Sequence, residues 1–517
     1  MKGFQIQQKG ERRISAALRI MLVVVLLAVQ IGFVVAISYF MQEYLALAYG
    51  VVQVGALFLA VHIYNEPGEL SYKLIWFILL LLAPPVGMIL WFLWGGAAQK
   101  RHLPQNTKRF PDEPESVRMR SEIAVDKLTR QLPAWSRTAN YLCRRDFQLY
   151  QNTSVTYLPE GAILLRNLID RAAKAERFIF LEYFILAEGK LWDELEKILC
   201  AKAREGVEVK IIFDDFGNIK RFSGEMIDRL REVGVEVFIF NPVHEYVNRL
   251  HFNYRDHRKI ACIDGDVAYT GGVNIADEYA NLIERFGYWK DCGVRLEGEG
   301  AWGLTREFLQ MWERMGGGVQ HEYDYYRPLH HPAAQGFCQT VVDGPDDNPN
   351  NAAEDLFLQL ISRARHTVYI TTPYLAIDEP MLKALCLAAD SGVDVRLIMP
   401  GIPDHKFAYL VAESYFSELM EHHVKIYTFT PGLIHGKTVL ADREVGFAGS
   451  VNMDYRSFQL HFECGEVFYG VPAIEALLED MDNTMSRSAL MTPERMAQRP
   501  VWRRVMGTVL RLFAMWM

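Results

Sequence analysis

One phrase is written twice in this chain: HRKIACIDGDVAYTGGVN, from His257 to Asn274, returns as HGKTVLADREVGFAGSVN, from His435 to Asn452. In both copies Lys follows His by two residues, Asp by seven, a Gly-containing pair by fourteen and fifteen, and Asn by seventeen. A duplication matched column by column predicts two halves of like fold rather than one unrepeated domain. The surrounding pattern repeats too. Residues 163–216 read as helix (164–175), apolar strand (178–186), helix (191–204) and strand (207–214), and residues 356–400 read the same way, with strands expected at 367–374 and 393–399 and a helix at 381–390. GVEVK at Gly206 comes back as GVDVR at Gly392. The expected fold class is α/β, with one half over 138–335 and the other over 336–490, parted by the polar stretch DGPDDNPNN from Asp343 to Asn351.

The repeated residues suit attack on a phosphodiester. An imidazole serves as nucleophile or general acid, an ammonium neutralises phosphate oxygen, and an Asn amide offers one more donor. One copy supplies half of such a site. With two, one histidine attacks phosphorus while the other protonates the departing alkoxide.

Net charge narrows the substrate. At −8, with a pI near 6.0, the chain lacks the basic surface with which proteins usually meet nucleic acid. Its seven cysteines form no C-x-x-C pair and sit in apolar stretches, as reduced, buried thiols do, so neither a disulfide frame nor a zinc site is expected.

The first hundred residues point to a bilayer. A basic tail (Lys2, Lys9, Arg12, Arg13, Arg19) precedes an uncharged run from Ile20 to Phe40, and two more follow, Tyr44 to Ile63 and Leu74 to Gly95. Residues 1–98 therefore read as a membrane anchor of two to three spans, with Trp76, Trp91 and Trp94 suited to an interfacial belt. Basic residues flank both ends, since Lys100, Arg101, Lys108 and Arg109 follow the third run. Three full spans cannot keep both flanks inside. Either one run is re-entrant, the third being marked by Pro84-Pro85, or one flank faces the other way; the catalytic part is expected on the cytoplasmic side. Residues 99–137 read as a linker with some helix. At the other end, 491–517 read as a basic amphipathic helix, with Arg504, Thr508 and Arg511 opposite Trp502, Val505, Val509, Phe513 and Trp516. Such a helix lies on an anionic membrane or packs on the chain's own core.

The H-x-K-x4-D-x6-G-G/S-x-N pair resembles the phospholipase D superfamily. Joined to the hydrophobic N-terminus and the phrases LEYFI (Leu181 to Ile185), RDHRK (Arg255 to Lys259), TTPYL (Thr371 to Leu375) and NMDYRSFQLHFE (Asn452 to Glu463), it resembles the bacterial cardiolipin synthases over nearly the whole chain. One departure is His461-Phe462-Glu463, where the family phrase usually reads N-F-E. The resemblance implies transfer of a phosphatidyl group from one phosphatidylglycerol to the hydroxyl of another, giving cardiolipin and glycerol, with no metal or other cofactor. It implies pseudo-twofold halves with His257, Lys259 and Asp264 on one side and His435, Lys437 and Asp442 on the other. His257 is the expected nucleophile, by analogy, and His435 the acid and then base. Asn274, Asn452 and Ser450 are expected to hold phosphate, while Asp264 and Asp442 look structural in the family. A nucleophilic histidine needs its other nitrogen held, usually by a carboxylate. The candidates are Asp291, 34 residues beyond His257, and Glu463, 28 beyond His435. A hydrolase acting on the same lipid, or a phosphatidyltransferase such as a phosphatidylserine synthase or one using phosphatidylethanolamine, would carry the same motifs.

Overall fold

A computed structural model describes residues 45–66, 70–95, 113–219, 221–242, 254–345 and 351–514, with isolated positions between 25 and 32. The basic tail, most of the run Ile20 to Phe40, the flank from Lys100 to Arg109, the middle of the loop from Asp343 to Asn351, and Trp516 lie outside the described residues. The chain divides into two compact units, Met1–His102 with His244–His251, and Leu103–Val243 with Phe252–Met517.

In the first unit, Leu47–Asn65 is the one helix among the described residues that is long and apolar enough to cross a bilayer. Ala56, Leu59 and Ile63 on it gather with Trp76, Leu80 and Trp91, while Leu57 and Phe58 face outward. The run expected from Leu74 to Gly95 is two helices, Leu70–Leu82 and Pro84–Trp94. Pro84 and Pro85 have no N–H to give to a preceding turn and are at home at the start of a helix, so the chain breaks at Ala83. At 13 and 11 residues, each piece is shorter than the ~20 residues a perpendicular span needs.

The second unit holds two mixed sheets built to one plan. The first runs, in spatial order, Thr153–Leu158, Gly293–Gly298, Val267–Gly271, Lys259–Ile263, Phe178–Tyr183, Glu208–Asp214 and Glu236–Phe240. The second runs Phe337–Asp343, His461–Tyr469, Val445–Gly449, Thr438–Ala441, Thr367–Thr371, Asp394–Pro400 and Lys425–Phe429, with Ser488–Leu490 added at its edge. Strand for strand the orders match. The α/β expectation holds, with strand 178–186 ending at Tyr183 and strand 367–374 at Thr371. Gly206 and Gly392 take φ of +91° and +94°, a left-handed turn into the strand that follows, which explains why both copies of the phrase begin with glycine.

Both faces of these strands are covered, so they read as continuous apolar runs. Phe178 and Phe180 point into a core that the two sheets share, where Tyr369, Ile398, Leu440 and Phe468 of the second sheet also lie. Ile179, Leu181 and Tyr183 point the other way, under the helices Gly161–Ala172 and Lys190–Arg204. The helix Ala301–Arg314 closes the shared core with Trp302, Phe308 and Trp312. Within the stretch read as a linker, the helix Glu115–Gln131 buries Val117, Ala124, Val125 and Leu128. The next turns tie to the second half: Trp135 Nε1 donates to Glu444 at 2.7 Å, and Tyr150 exchanges backbone hydrogen bonds with Cys338.

Two short pairings stitch the halves together. Arg255–Asp256 runs parallel to His461–Phe462, and Gly432–Ile434 runs parallel to Tyr288–Lys290. Each leads directly into a motif histidine.

Candidate active site

The histidine backbones repeat the pseudo-twofold. His257 N donates to Phe462 O at 2.9 Å, and His435 N donates to Lys290 O at 2.7 Å. The residue after each acceptor is an acid, Glu463 in one case and Asp291 in the other. The carboxylates therefore cross between halves. His257 Nδ1 lies 2.9 and 3.1 Å from the two Glu463 oxygens, and His435 Nδ1 lies 2.7 Å from Asp291 Oδ2. Counting along the chain had paired each acid with the histidine of its own half. That pairing is corrected here: both acids are the right residues, each serving the opposite histidine.

A carboxylate only accepts, so each imidazole carries its proton on Nδ1 and keeps the Nε2 lone pair for chemistry. Both acids have no exposed surface. Glu463 also accepts from Ser457 Oγ at 2.8 Å and from the Ser450 hydroxyl, and Asp291 accepts from Cys292 N at 2.8 Å. Burial pulls Asp291 upward, but the charges of His435 and Lys437 outweigh it and hold it below the usual carboxylate range.

Lys259 and Lys437 stand on the first residues of, or just before, the strands that follow each histidine, and both are 1% exposed. Each ammonium donates to the carbonyl of its own histidine, and Lys437 Nζ lies 3.2 Å from His435 Nε2. Burial lowers Lys259 to about 7 and lowers Lys437 as well. These are buried cations whose charge a phosphate between the halves would restore. Burial, Lys259 and Lys437 push His257 well below the ordinary imidazole value. Burial and Lys437 lower His435 too, against the pull of Asp291.

Asn274 Nδ2 donates to Tyr279 Oη at 2.7 Å and its Oδ1 accepts from Ile185 N at 3.0 Å; Asn452 Nδ2 donates to Ser457 Oγ at 3.0 Å. The three groups expected to hold phosphate, these two amides and the Ser450 hydroxyl, are turned to the protein in this structure. Asp264 and Asp442 stand at the far ends of their strands from the histidines. Each has a left-handed φ and accepts from three successive backbone N–H groups, Asp264 from residues 176–178 and Asp442 from residues 365–367. Both motif acids, set beside the histidines and lysines by the sequence pattern, hold turns away from them.

Some neighbours escape a sequence reading. Phe184 packs against His257 with ring centroids 5.0 Å apart, and Tyr279 and Trp289 against His435 at 5.3 and 5.5 Å. Ser457 links Asn452 to Glu463, which only the short helix Tyr455–Gln459 makes possible. Glu182 of LEYFI pairs with the buried Arg258 of RDHRK, an ion pair whose two ends are among the phrases quoted above. His461, the departure from the family phrase, lies with its ring 5.5 Å from that of His257 and accepts from Arg456 Nε at 3.3 Å; burial holds it neutral, down to about 3. Ligand atoms of His257, His461 and Glu463 come within 4.8 Å of one another, a spacing a metal ion can bridge, but Glu463 already takes three donors there.

Crossed His–carboxylate pairs, with two buried lysines between halves that share one core, are an arrangement suited to paired phosphoryl transfer. The description "cardiolipin synthase, phospholipase D-like domain" matches residues 165–287 and 357–485, and "phospholipase D-nuclease N-terminal" matches 54–96. A cardiolipin synthase of Geobacillus kaustophilus is 34% identical over 89% of this chain and 91% of its own. The chain belongs to the cardiolipin synthase family. The major cardiolipin synthase of Bacillus subtilis is 31% identical over 87% of this chain and 95% of that one. Among solved structures, a phosphatidylserine synthase of Haemophilus influenzae superposes with a TM-score of 0.54 at 15% identity, covering 70% of this chain and 95% of that one, a likeness of fold. The apolar N-terminus makes the chain membrane-associated, with Leu47–Asn65 as its candidate span.

Proposed function

We propose that this chain is a cardiolipin synthase that condenses two phosphatidylglycerol molecules into cardiolipin and glycerol. In the first step His257 Nε2 attacks the donor's phosphorus, the bond from phosphorus to the glycerol oxygen breaks, and His435, entering as the imidazolium with a second proton on Nε2, gives that proton to the departing glycerol. In the second, His435 Nε2 takes the proton of the acceptor's hydroxyl, whose oxygen attacks phosphorus and releases His257. Lys259 and Lys437 neutralise the non-bridging oxygens as charge gathers on them. The observation that carries this reading is the crossed carboxylate pair, because it fixes two imidazoles in the same tautomer at one interface.

Environment supports the order of attack. Burial and both lysines hold His257 well below the ordinary imidazole value, as a nucleophile requires; burial and Lys437 lower His435 too, but Asp291 opposes that shift and favours the protonated form an acid needs. Covalent capture before the acceptor arrives also demands that water be kept out, which burial of the site serves. The cytoplasmic side and more than one span are part of the same proposal, resting on the basic flanks of the apolar runs. Protease protection in sealed spheroplasts checks the side.

The test is product analysis with head-group-labelled phosphatidylglycerol in membranes carrying the intact chain or His257→Ala. Cardiolipin and labelled glycerol from the intact chain alone are expected. Phosphatidic acid without cardiolipin would instead make it a hydrolase.

A further inference from the structure

The C-terminal helix Val501–Arg511 docks on the protein along one edge, between its polar and its apolar side. Arginines flank that edge. Arg503 Nη2 lies 3.1 Å from Glu413, Arg511 lies 3.3 Å from Glu379 and stacks on Tyr415 at 4.1 Å, and Arg499 just before the helix joins Glu413 at 3.3 Å. Gly507 sits so close to the helix Lys406–Glu421 that an added Cβ would stand 2.6 Å from Leu410 O. Positions 503, 507, 510 and 514 thus form the docked stripe, at helical spacing. The opposite stripe is open. Trp502 is 61% exposed, Val505 58%, Val509 47% and Phe513 45%, with Arg504 exposed at its border.

We propose that this outward apolar stripe inserts into the lipid surface and holds the rim of the active site against it. The proposal rests on the cardiolipin synthase reading for its purpose, though not for its geometry. Three observations select a bilayer as the occupant. The helix docks along Lys406–Glu421, on Leu410, Glu413, Tyr415 and Glu418, and that helix begins just after Asp404, which accepts from Tyr374 Oη at 2.6 Å and stands close enough to His435 to act on it electrostatically. The stripe is therefore carried by the helix that starts at the catalytic rim, where a lipid substrate must enter. Phe407, on the first turn of that helix, is also 66% exposed. Third, a strip about 16 Å long and about 10 Å wide falls far short of the roughly 800 Å² per partner that a stable protein interface buries, whereas insertion of one apolar helix face is what an interfacial helix does. Because ion pairs take up Arg499, Arg503 and Arg511 on the protein side and leave Arg504 alone at the border, attachment comes chiefly from apolar burial.

The experiment uses the full chain in nanodiscs with an environment-sensitive fluorophore on Val509→Cys, and the unlabelled-site parent as background. Lipids brominated on their acyl chains should quench the probe at least about two-fold, and the emission should shift to the blue, equally with neutral and anionic lipid. A blue-shifted probe that bromine does not quench would mean a protein partner or second copy covers the stripe, and would overturn the proposal. An unshifted, unquenched probe would overturn it as well. This readout needs no turnover, so its failure is separate from a failure to form cardiolipin. Val505→Asp/Val509→Asp should lower activity on vesicles about ten-fold and leave the melting temperature unchanged, since neither side chain touches the protein face. Unchanged vesicle activity would overturn the proposed role at the rim.

Discussion

The half-site at His257 and the half-site at His435 occupy matching motif positions, yet they are built from different parts. At His257 the carboxylate is the longer Glu463, and two serine hydroxyls, Ser450 and Ser457, reach it. At His435 it is the shorter Asp291, steadied by one backbone N–H. Gly272 matches Ser450, and it has to be glycine: a Cβ there would meet Asp291 Oδ1 at 2.2 Å. A side chain at 272 runs into the shorter acid, whereas at 450 the serine hydroxyl donates to the longer one. Pseudo-symmetry supplies two imidazoles, and the departures from it give them different work.

The largest effect that would break this comparison comes from the histidines. His257→Ala and His435→Ala should each lower cardiolipin formation by at least about 10³-fold. They differ in what accumulates. With a donor whose leaving group needs no protonation, His435→Ala should hold labelled phosphatidyl on the protein, and His257→Ala none, by acid-quench gel analysis. The opposite pattern would exchange the two roles.

Next are the crossed acids. Glu463→Gln should slow adduct formation, and Asp291→Asn adduct release, each by about 10²–10⁴-fold, since loss of the carboxylate frees the tautomer. Pre-steady-state labelling separates the two steps. If Glu463→Gln behaves like a defect at His435 instead, the crossing is wrong.

The glycine and serine then sharpen it. Gly272→Ser should be far more damaging than Ser450→Gly, which removes one hydrogen bond to a charged group, about 1.5–3 kcal/mol or roughly 10–100-fold in rate. Equal losses would mean that the carboxylate lengths do not matter.

Smaller still is the pH response. His257 is lowered, so its neutral form persists as pH falls below the ordinary ~6.5 of imidazole, and adduct formation should keep its rate there. Lys259, near 7, loses its charge as pH rises through that value in the free enzyme, so kcat/KM should fall on the alkaline side. Lys259→Arg should remove that alkaline limb while lowering the maximum rate. Smallest in activity is Asp442→Ala: three backbone donors at the Arg365–Thr367 turn lose their acceptor, so the melting temperature should drop while turnover per folded molecule stays within about two-fold.

Much of this was legible in the chain alone. A repeat of period-matched motifs dictated two α/β halves, because the same local pattern of apolar runs, turns and left-handed glycines folds the same way twice. The four residues His257, Lys259, His435 and Lys437 were legible from chemistry and spacing, as was the need for two acids. What spacing could not tell is which acid serves which histidine. That depends on Arg255–Asp256 and Gly432–Ile434 leaving their own halves to pair with the other, a contact between residues some 144 to 206 apart in the chain that no local pattern records. Asp264 and Asp442 belong to the same repeated phrase without reaching the reaction, because a five-residue strand carries the first of them away from its histidine to a turn. The orientation of the last helix was likewise beyond the sequence, since an amphipathic pattern defines two faces and not which one meets protein. Local sequence determined the elements and the reactive groups; tertiary pairing decided their partners, because hydrogen bonds between halves form only once both sheets close on a common core.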